Sequence, residues 1–307
     1  MQLVCLSHSP LLLSVPSRSG EGYFVAIDAL RREIAAYDPE VIVIFAPDHF
    51  NGFFYNVMPA FCLGCDATGT SDWNIEPAPL AVPRELARDM ARAVQAEGID
   101  LAVSYRMAVD HGFTIPLKLL AGRFDAYPVI PIFVNCAAPP LPGCRRVRML
   151  GEAVGRFLRG AGKRALIIGS GGLSHDPPHP GFEEASPETR ELLVAAKPWQ
   201  PSDESIRQAR VHEGAVELLA GGGPCLPPNR QWDRNFLDLL KRQDLNSVDG
   251  FTDDWIEREG GGGGQEIRTW IAAFAALGAG GRYRSQELYY DVVTEWITGM
   301  AVVKAEI

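Results

Sequence analysis

The chain of 307 residues is 47% hydrophobic and 22% charged, enough apolar material to bury a large core in one large α/β domain or two smaller ones. A formal net charge of −9 removes the basic face that a sequence-independent grip on phosphate backbones requires, so no nucleic-acid partner is expected. The start, Met1-Gln2-Leu3-Val4-Cys5-Leu6, has no basic leader. The apolar run to Leu13 is interrupted by His8 and Pro10, and no stretch approaches the ~20 apolar residues of a membrane span. These features predict a cytoplasmic protein with no membrane partner.

In chain order, residues 3–6 form a short apolar run that reads as a strand and ends in Leu6-Ser7-His8-Ser9-Pro10. Residues 24–37 keep apolar positions at helical spacing. The β-branched run 41–46 predicts a second strand, followed by Pro47-Asp48-His49-Phe50-Asn51. Residues 84–96 predict a helix, with Pro83 at its start and Gly98 as its stop. Strands follow at 101–105, 129–134 and 165–168, with a helix at 145–158 before Gly160. Asp110-His111-Gly112 lies between the first two of these strands, and Gly171-Gly172-Leu173-Ser174-His175 follows the last. Strand and helix alternate, which predicts a three-layer α/β/α sandwich around a mixed, largely buried sheet. After Pro177 the texture changes to helices at 203–220, 232–242 and 265–276, read as C-terminal helical additions to that sheet. The five glycines at 260–264 predict a flexible loop, mobile without ligand.

Four of the six histidines lie past a strand or in a polar turn motif: His8, His49, His111 and His175. Loops at the carboxyl ends of strands are where open α/β sheets place their chemistry. His212, on a polar helix, reads as solvated, and His179 in Pro177-Pro178-His179-Pro180 as a loop residue. Divalent iron favours two imidazoles and one carboxylate on one face, which His8 and His49 can begin to supply. Glu266 is the candidate carboxylate, and spacing alone leaves it equally open as a helix cap. The same donor set can hold zinc and activate water for hydrolysis. Six cysteines spread along the chain read as reduced thiols, and Cys62-Leu63-Gly64-Cys65, with no second pair, reads as packing.

The motifs Leu6-Ser7-His8-Ser9-Pro10, Phe45-Ala46-Pro47-Asp48-His49-Phe50-Asn51-Gly52-Phe53-Phe54-Tyr55, Val109-Asp110-His111-Gly112-Phe113, Gly169-Ser170-Gly171-Gly172-Leu173-Ser174-His175 and Glu266-Ile267-Arg268-Thr269-Trp270 stand in that order. Together they resemble those of the class III extradiol ring-cleavage dioxygenases, the protocatechuate 4,5-dioxygenase catalytic-subunit superfamily. The likeness runs from His8 to Trp296. It implies one catalytic domain over residues 1–307, cleaving a catechol with O2 and Fe(2+). It implies metal ligation by His8, His49 and Glu266, with His111 as proton donor and His175 as proton acceptor. Asp110 fits either an orienting carboxylate beside His111 or a helix or turn cap. One position departs from the family pattern: Gln265 stands where members often carry a histidine.

The resemblance further implies a 3-substituted catechol bearing a three-carbon carboxylate side chain. A pocket for it needs a cation, for which Arg148, Arg268 and Arg145 are candidates, and an apolar wall, for which Phe53, Phe54 and Tyr55 are. Another substituted or bicyclic catechol is the alternative within the class. A non-catalytic, metal-binding interaction protein of the same superfamily is the alternative outside it, and the presence of both His111 and His175 argues against that. The family's habit of assembling implies a homo-oligomer.

Overall fold

The computed structural model describes residues 1–178, 181–195 and 201–307, the side chains of 201–203 excepted. His179 lies outside the described residues. The elements run β1 (Gln2–Leu6), α1 (Glu21–Tyr37), β2 (Val41–Ala46), β3 (Phe61–Gly64), β4 (Ala67–Gly69), α2 (Arg84–Ala96), β5 (Ala102–Ser104), β6 (Met107–Val109), α3 (His111–Ala121), β7 (Val129–Val134), α4 (Cys144–Ala161), β8 (Ala165–Ser170), α5 (Pro187–Val194), α6 (Pro201–Leu219), α7 (Arg230–Arg242), α8 (Asp253–Gly260), α9 (Ile267–Gly278), β9 (Arg284–Val293) and β10 (Thr298–Glu306).

The main sheet orders its strands β5-β3-β7-β2-β8-β1-β10-β9, and β4 pairs with β6 apart from it. Its centre is parallel, β7-β2-β8-β1, and the flanking pairs β3-β7, β1-β10 and β10-β9 are antiparallel, so the sheet is mixed. Alternate residues of the central strands enter opposite cores. Leu3, Val41, Val43, Phe45 and Ile167 face the layer holding α4 and α9, whereas Val4, Leu6, Ile42, Ile44 and Ile168 face the layer holding α1 and α3. Burial on both faces is why these strands read as continuous β-branched runs rather than as alternating ones.

The C-terminal region supplies helices as expected, and in addition the antiparallel strands β9 and β10, which extend the sheet from β1. The expected helix at 145–158 is longer at both ends, and the expected helix at 265–276 begins only at Ile267, after a 3₁₀ turn over Gly262–Glu266. Helix α3 was not expected, because it carries Pro116 in its interior. Among the described residues no helix is long and apolar enough to cross a membrane.

Strand order decides the location of the chemistry. The three neighbours β2, β8 and β1 run parallel, so their carboxyl ends deliver His49, the Ser170–His175 segment and His8 to one edge. β10 fastens the end of β1 there: Ser7 N donates to Ala301 O at 2.9 Å, and Ser7 Oγ to Gly299 O at 3.1 Å.

Candidate active site

His8, His49, Glu266, His111 and His175 converge on this edge. His49 Nε2 lies 3.1 Å from Glu266 Oε1, His8 Nε2 3.9 Å from Glu266 Oε2, and His175 Nε2 3.6 Å from Glu266 Oε1. The His49 and His111 rings stack with centroids 4.1 Å apart, and His8 meets both edge-on at 5.6 Å.

The tautomers follow from the partners. Pro116 has no N–H, so the carbonyl of Gly112, four residues earlier, loses its helical donor. Ser170 Oγ supplies one, donating to Gly112 O at 2.5 Å. With its hydrogen spent, Ser170 Oγ accepts from His8 Nδ1 at 3.0 Å. His49 Nδ1 donates to Asp110 Oδ2 at 3.0 Å. Both rings therefore spend a proton on Nδ1 behind the site and aim Nε2 at the Glu266 carboxylate. Two imidazole nitrogens and a carboxylate aimed at one another fit a divalent cation, which would take the place of the His49 Nε2 proton.

Burial holds the His8 imidazole down to about 3, with the charge of Glu266 opposing it. Burial alone would lower His49 too, but Asp110 and Glu266 outweigh it and raise it well above its ordinary value. Glu266 is 5% exposed. Burial would raise its carboxyl, but the facing His175 and His8 hold it well below the usual range. Its side chain does not cap α9; Oε2 instead accepts from Gly172 N at 2.6 Å. The capping role left open by spacing is thus not taken up by this side chain.

The glycine run, read from composition as a flexible loop, folds here as a buried, hydrogen-bonded turn. Gly261, at φ 78°, turns the chain out of α8, and a buried 3₁₀ turn leads into Glu266. Gly263 N donates to His175 O at 3.0 Å, His175 N to Gly260 O at 2.8 Å and Gly262 N to Asp176 Oδ1 at 2.9 Å. A Cβ on Gly263 would lie 2.2 Å from His175 Nε2, and one on Gly172 2.4 Å from the same ring. The glycines are there for close approach, and they seat His175 between them. His175 Nδ1 donates to Leu173 O at 3.0 Å, which aims Nε2 at Glu266, 3.6 Å away.

Asp110 is buried and caps α3, accepting from Gly112 N at 2.9 Å, yet it also accepts from His49 N at 2.8 Å. It thus serves as both cap and orienting carboxylate, and the ring it orients is His49. The partner of His111 is Asp72, whose Oδ2 accepts from His111 Nδ1. Asp72 and Ser170 were not singled out from the sequence. Neither carries a local signal, since Asp72 is a lone acid in a loop and Ser170 the last residue of a strand.

Phe53 stacks on Phe133 at 3.9 Å, Phe54 is buried, and the Tyr55 ring packs against Phe50 and Phe182 at 5.3 and 4.8 Å. They form an apolar flank beside the His49 loop. Two of the three sequence-named arginines have other partners. Arg148 pairs with Asp249 at 2.7 Å and with Glu152 at 2.5 Å. Arg268, fully buried, donates to Pro142 O at 2.9 Å and also pairs with Asp253. Arg145 is exposed. A guanidinium that does reach the histidine loop is Arg207 of α6, whose Nη2 donates to His49 O at 2.7 Å.

Residues 2–301 match the family described as the catalytic LigB subunit of aromatic ring-opening dioxygenase. The chain is 49% identical over its full length to a protein of Cupriavidus necator, of which it covers 98%, named 2,3-dihydroxyphenylpropionate/2,3-dihydroxicinnamic acid 1,2-dioxygenase. It is 48% identical to proteins of the same name from Cupriavidus pinatubonensis, covering 100% of this chain and 98% of that protein, and from Mycolicibacterium vanbaalenii, covering 98% and 96%. In fold it is similar to a crystal structure of an uncharacterized protein from Escherichia coli K12, with TM-score 0.54, 14% identity and 99% of each chain covered.

Proposed function

The chain belongs to the LigB family of aromatic ring-opening dioxygenases and is an extradiol dioxygenase, and from that premise we propose that its substrates are 3-(2,3-dihydroxyphenyl)propionate and 2,3-dihydroxycinnamate. Ring opening beside the diol gives a yellow 2-hydroxy-6-oxo-dienedioate. Full-length relatives named for both substrates support this choice.

The observation that carries the reading is the approach of His8 Nε2 and His49 Nε2 to the two oxygens of Glu266, with His111 and His175 beside them. His8, His49 and Glu266 are the proposed ligands of Fe(2+). By distance alone His8, His49 and His111 form another candidate set, and Asp72, Asp110 and His111 a further one. Either would leave the buried Glu266 charge without the cation, which a site of two imidazoles and one carboxylate avoids. Ferrous iron, when bound, brings the catechol and dioxygen together and carries electron density between them.

The remaining work falls to side chains. A catechol hydroxyl is too weakly acidic to ionise fully at neutral pH, and His175, with Nδ1 held by Leu173 O, takes its proton at Nε2. His111 supplies a proton from Nε2 to the oxygen that departs as the oxygen–oxygen bond breaks. The Phe53 to Tyr55 flank is the proposed wall for the ring. We read residues 1–307 as one catalytic domain that works in the cytoplasm as a homo-oligomer. Six buried, unpaired cysteines are compatible with a reducing compartment.

Anaerobic reconstitution with ferrous iron, followed by air and a panel of 3-substituted catechols, tests the reading. Oxygen uptake with yellow product is expected, fastest for the carboxylate-bearing substrates. No oxygen uptake with any catechol would overturn it, and a zinc-loaded hydrolase would behave in that way.

A further inference from the structure

The two stacked imidazoles are held from behind by different carboxylates. Asp110 Oδ2 takes His49, accepting from its N at 2.8 Å and its Nδ1 at 3.0 Å, and lies 3.9 Å from His111 Nδ1. Asp72 takes His111, accepting from Nδ1 and, at 3.3 Å, from its backbone N. Asp72 is 3% exposed and 39 residues away in sequence.

The turn that delivers Asp72 is itself unusual. Trp73 and Asn74 both have positive φ, 50° and 59°, and Ile75 N donates to Asp72 O at 2.9 Å. Two consecutive positive φ values closed by such a bond are the pattern of a type I′ turn, which favours Asn, Asp and Gly. Tryptophan in its first central position is a strained choice that the surroundings must hold in place. They do so on several sides. Trp73 N donates to Glu204 Oε1 of α6 at 3.3 Å, its ring meets His111 edge-on at 6.4 Å, and Asn51 Nδ2 lies 3.5 Å from Asp72 Oδ2.

We propose that Asp72 is the positioning residue of the proton donor: it holds His111 by Nδ1, so that Nε2, on the far side of the ring, carries the proton that is delivered. The inference rests on His111 being the proton donor. A carboxylate only accepts, so the proton stays on His111 Nδ1, hydrogen-bonded to Asp72, throughout. When His111 gives up its Nε2 proton, the electron pair remains on Nε2 and the ring is left as the neutral Nδ1–H tautomer. That tautomer is already hydrogen-bonded, so no ring flip is needed, and Nε2 regains its proton from solvent. Without Asp72, the neutral ring can place its single proton on either nitrogen, and its orientation is lost.

Asp72→Ala in the iron-loaded enzyme should lower kcat by about 10–100-fold, the usual cost of removing a carboxylate that orients a working histidine. KM and the anaerobic catechol complex should stay within about twofold of wild type. Asp72→Asn keeps the volume and one acceptor oxygen but lacks the charge, and carries the same measurements if the alanine variant does not fold. The deciding readout is a double-mutant cycle with His111→Gln. If Asp72 acts only through His111, its replacement costs nothing further in that background. In ¹⁵N-histidine-labelled, metal-free protein brought to a pH at which the ring is neutral, the His111 resonances should be those of the Nδ1–H tautomer in wild type and of a mixture in the variant. An equal loss of kcat in both backgrounds would make Asp72 a structural residue and overturn the proposal. Wild-type kcat in the Asp72 variant beside an impaired His111→Gln would overturn it while leaving the proton-donor reading intact. An unimpaired His111→Gln would overturn both.

Discussion

The polar edge above β1, β2 and β8 and the seam between α4 and α9 meet at Glu266, and they are built on opposite principles. In the seam, α9 is buried from Ile267 to Leu277 and lies directly on α4. A Cβ on Gly151 would stand 2.1 Å from Ala272 O, and one on Gly155 2.0 Å from Ala276 O. Volume decides everything there, and the obstacle is backbone, which cannot rotate aside. At the polar edge, by contrast, Ser7, His8, Asp48, Asp110, His111, Ser170 and Glu266 are all buried, and each is held by hydrogen bonds to the others or to nearby backbone. Directions of donors and acceptors decide that region. One segment therefore carries the proposed ligand Glu266 at its start and a packing surface along its length, and the second holds the first in place.

The sharpest break of this comparison is Gly155→Val. Driving a branched side chain into Ala276 O should destabilise the fold by at least the ~3 kcal/mol at the upper end of overpacking, or prevent folding altogether. A melting temperature equal to wild type would mean that the seam is not close-packed. Glu266→Ala is the counterpart at the polar edge, where we expect loss of bound iron and of oxygen uptake while the thermal melt stays cooperative. Iron analysis and differential scanning calorimetry measure both, and an alanine variant that still binds iron stoichiometrically would remove Glu266 from the ligand set.

His111→Gln and His175→Gln test whether direction matters inside the polar edge. Each should keep iron and lose turnover by roughly 10²–10⁴-fold, the range for a positioned acid or base. They should part in an anaerobic substrate titration. His111→Gln still forms the catecholate complex, whereas His175→Gln forms it weakly at neutral pH and better as pH rises. Identical titrations would show that the two act as one unit.

The smallest effect lies behind the His175 loop. Asp233 of α7 accepts from Ser174 N at 2.7 Å, Ser174 Oγ at 2.9 Å and Tyr290 Oη at 2.8 Å. Burial pushes its carboxyl up from 3.8 to about 6, against those hydrogen bonds. The folded state thus holds this proton more tightly than the unfolded chain. The associated stability is full below about pH 4 and is lost as pH rises through about 6, at most about 3 kcal/mol. The advantage of wild type over Asp233→Ala in melting temperature should shrink from pH 4 to pH 7. A widening gap would contradict this.

Much of the fold was legible because local patterns encode single elements. The strands expected at 41–46 and 129–134 have those bounds, as does the helix at 84–96. Helix α3 was hidden by Pro116, and β3 by its brevity. β9 was hidden by its mixed exposure, with no clean apolar alternation to mark it. Within the site, the four histidines came from motifs past strands or in polar turns and Glu266 from one at a helix start, while their supporting residues did not. Two of the three arginines proposed from sequence, Arg148 and Arg268, already have acid partners, because a charged side chain shows its partner only after folding.

The sequence by itself determined the layered architecture, the placement of His8 and His49 after buried strands, and the family motifs that single out Glu266, His111 and His175. Tertiary structure alone decided that β8 lies between β2 and β1, which brings those loops to one edge. It also decided that Ser170 takes the carbonyl freed by Pro116 and so sets the His8 tautomer, and that Asp72 rather than Asp110 holds His111. The glycines of 260–264 likewise have their meaning only where the His175 ring comes to rest against them. The reason is physical: periodicity and turn chemistry act over a few neighbouring residues, whereas a buried donor finds its acceptor across 39 or 162 residues only once the packed core has brought the two together.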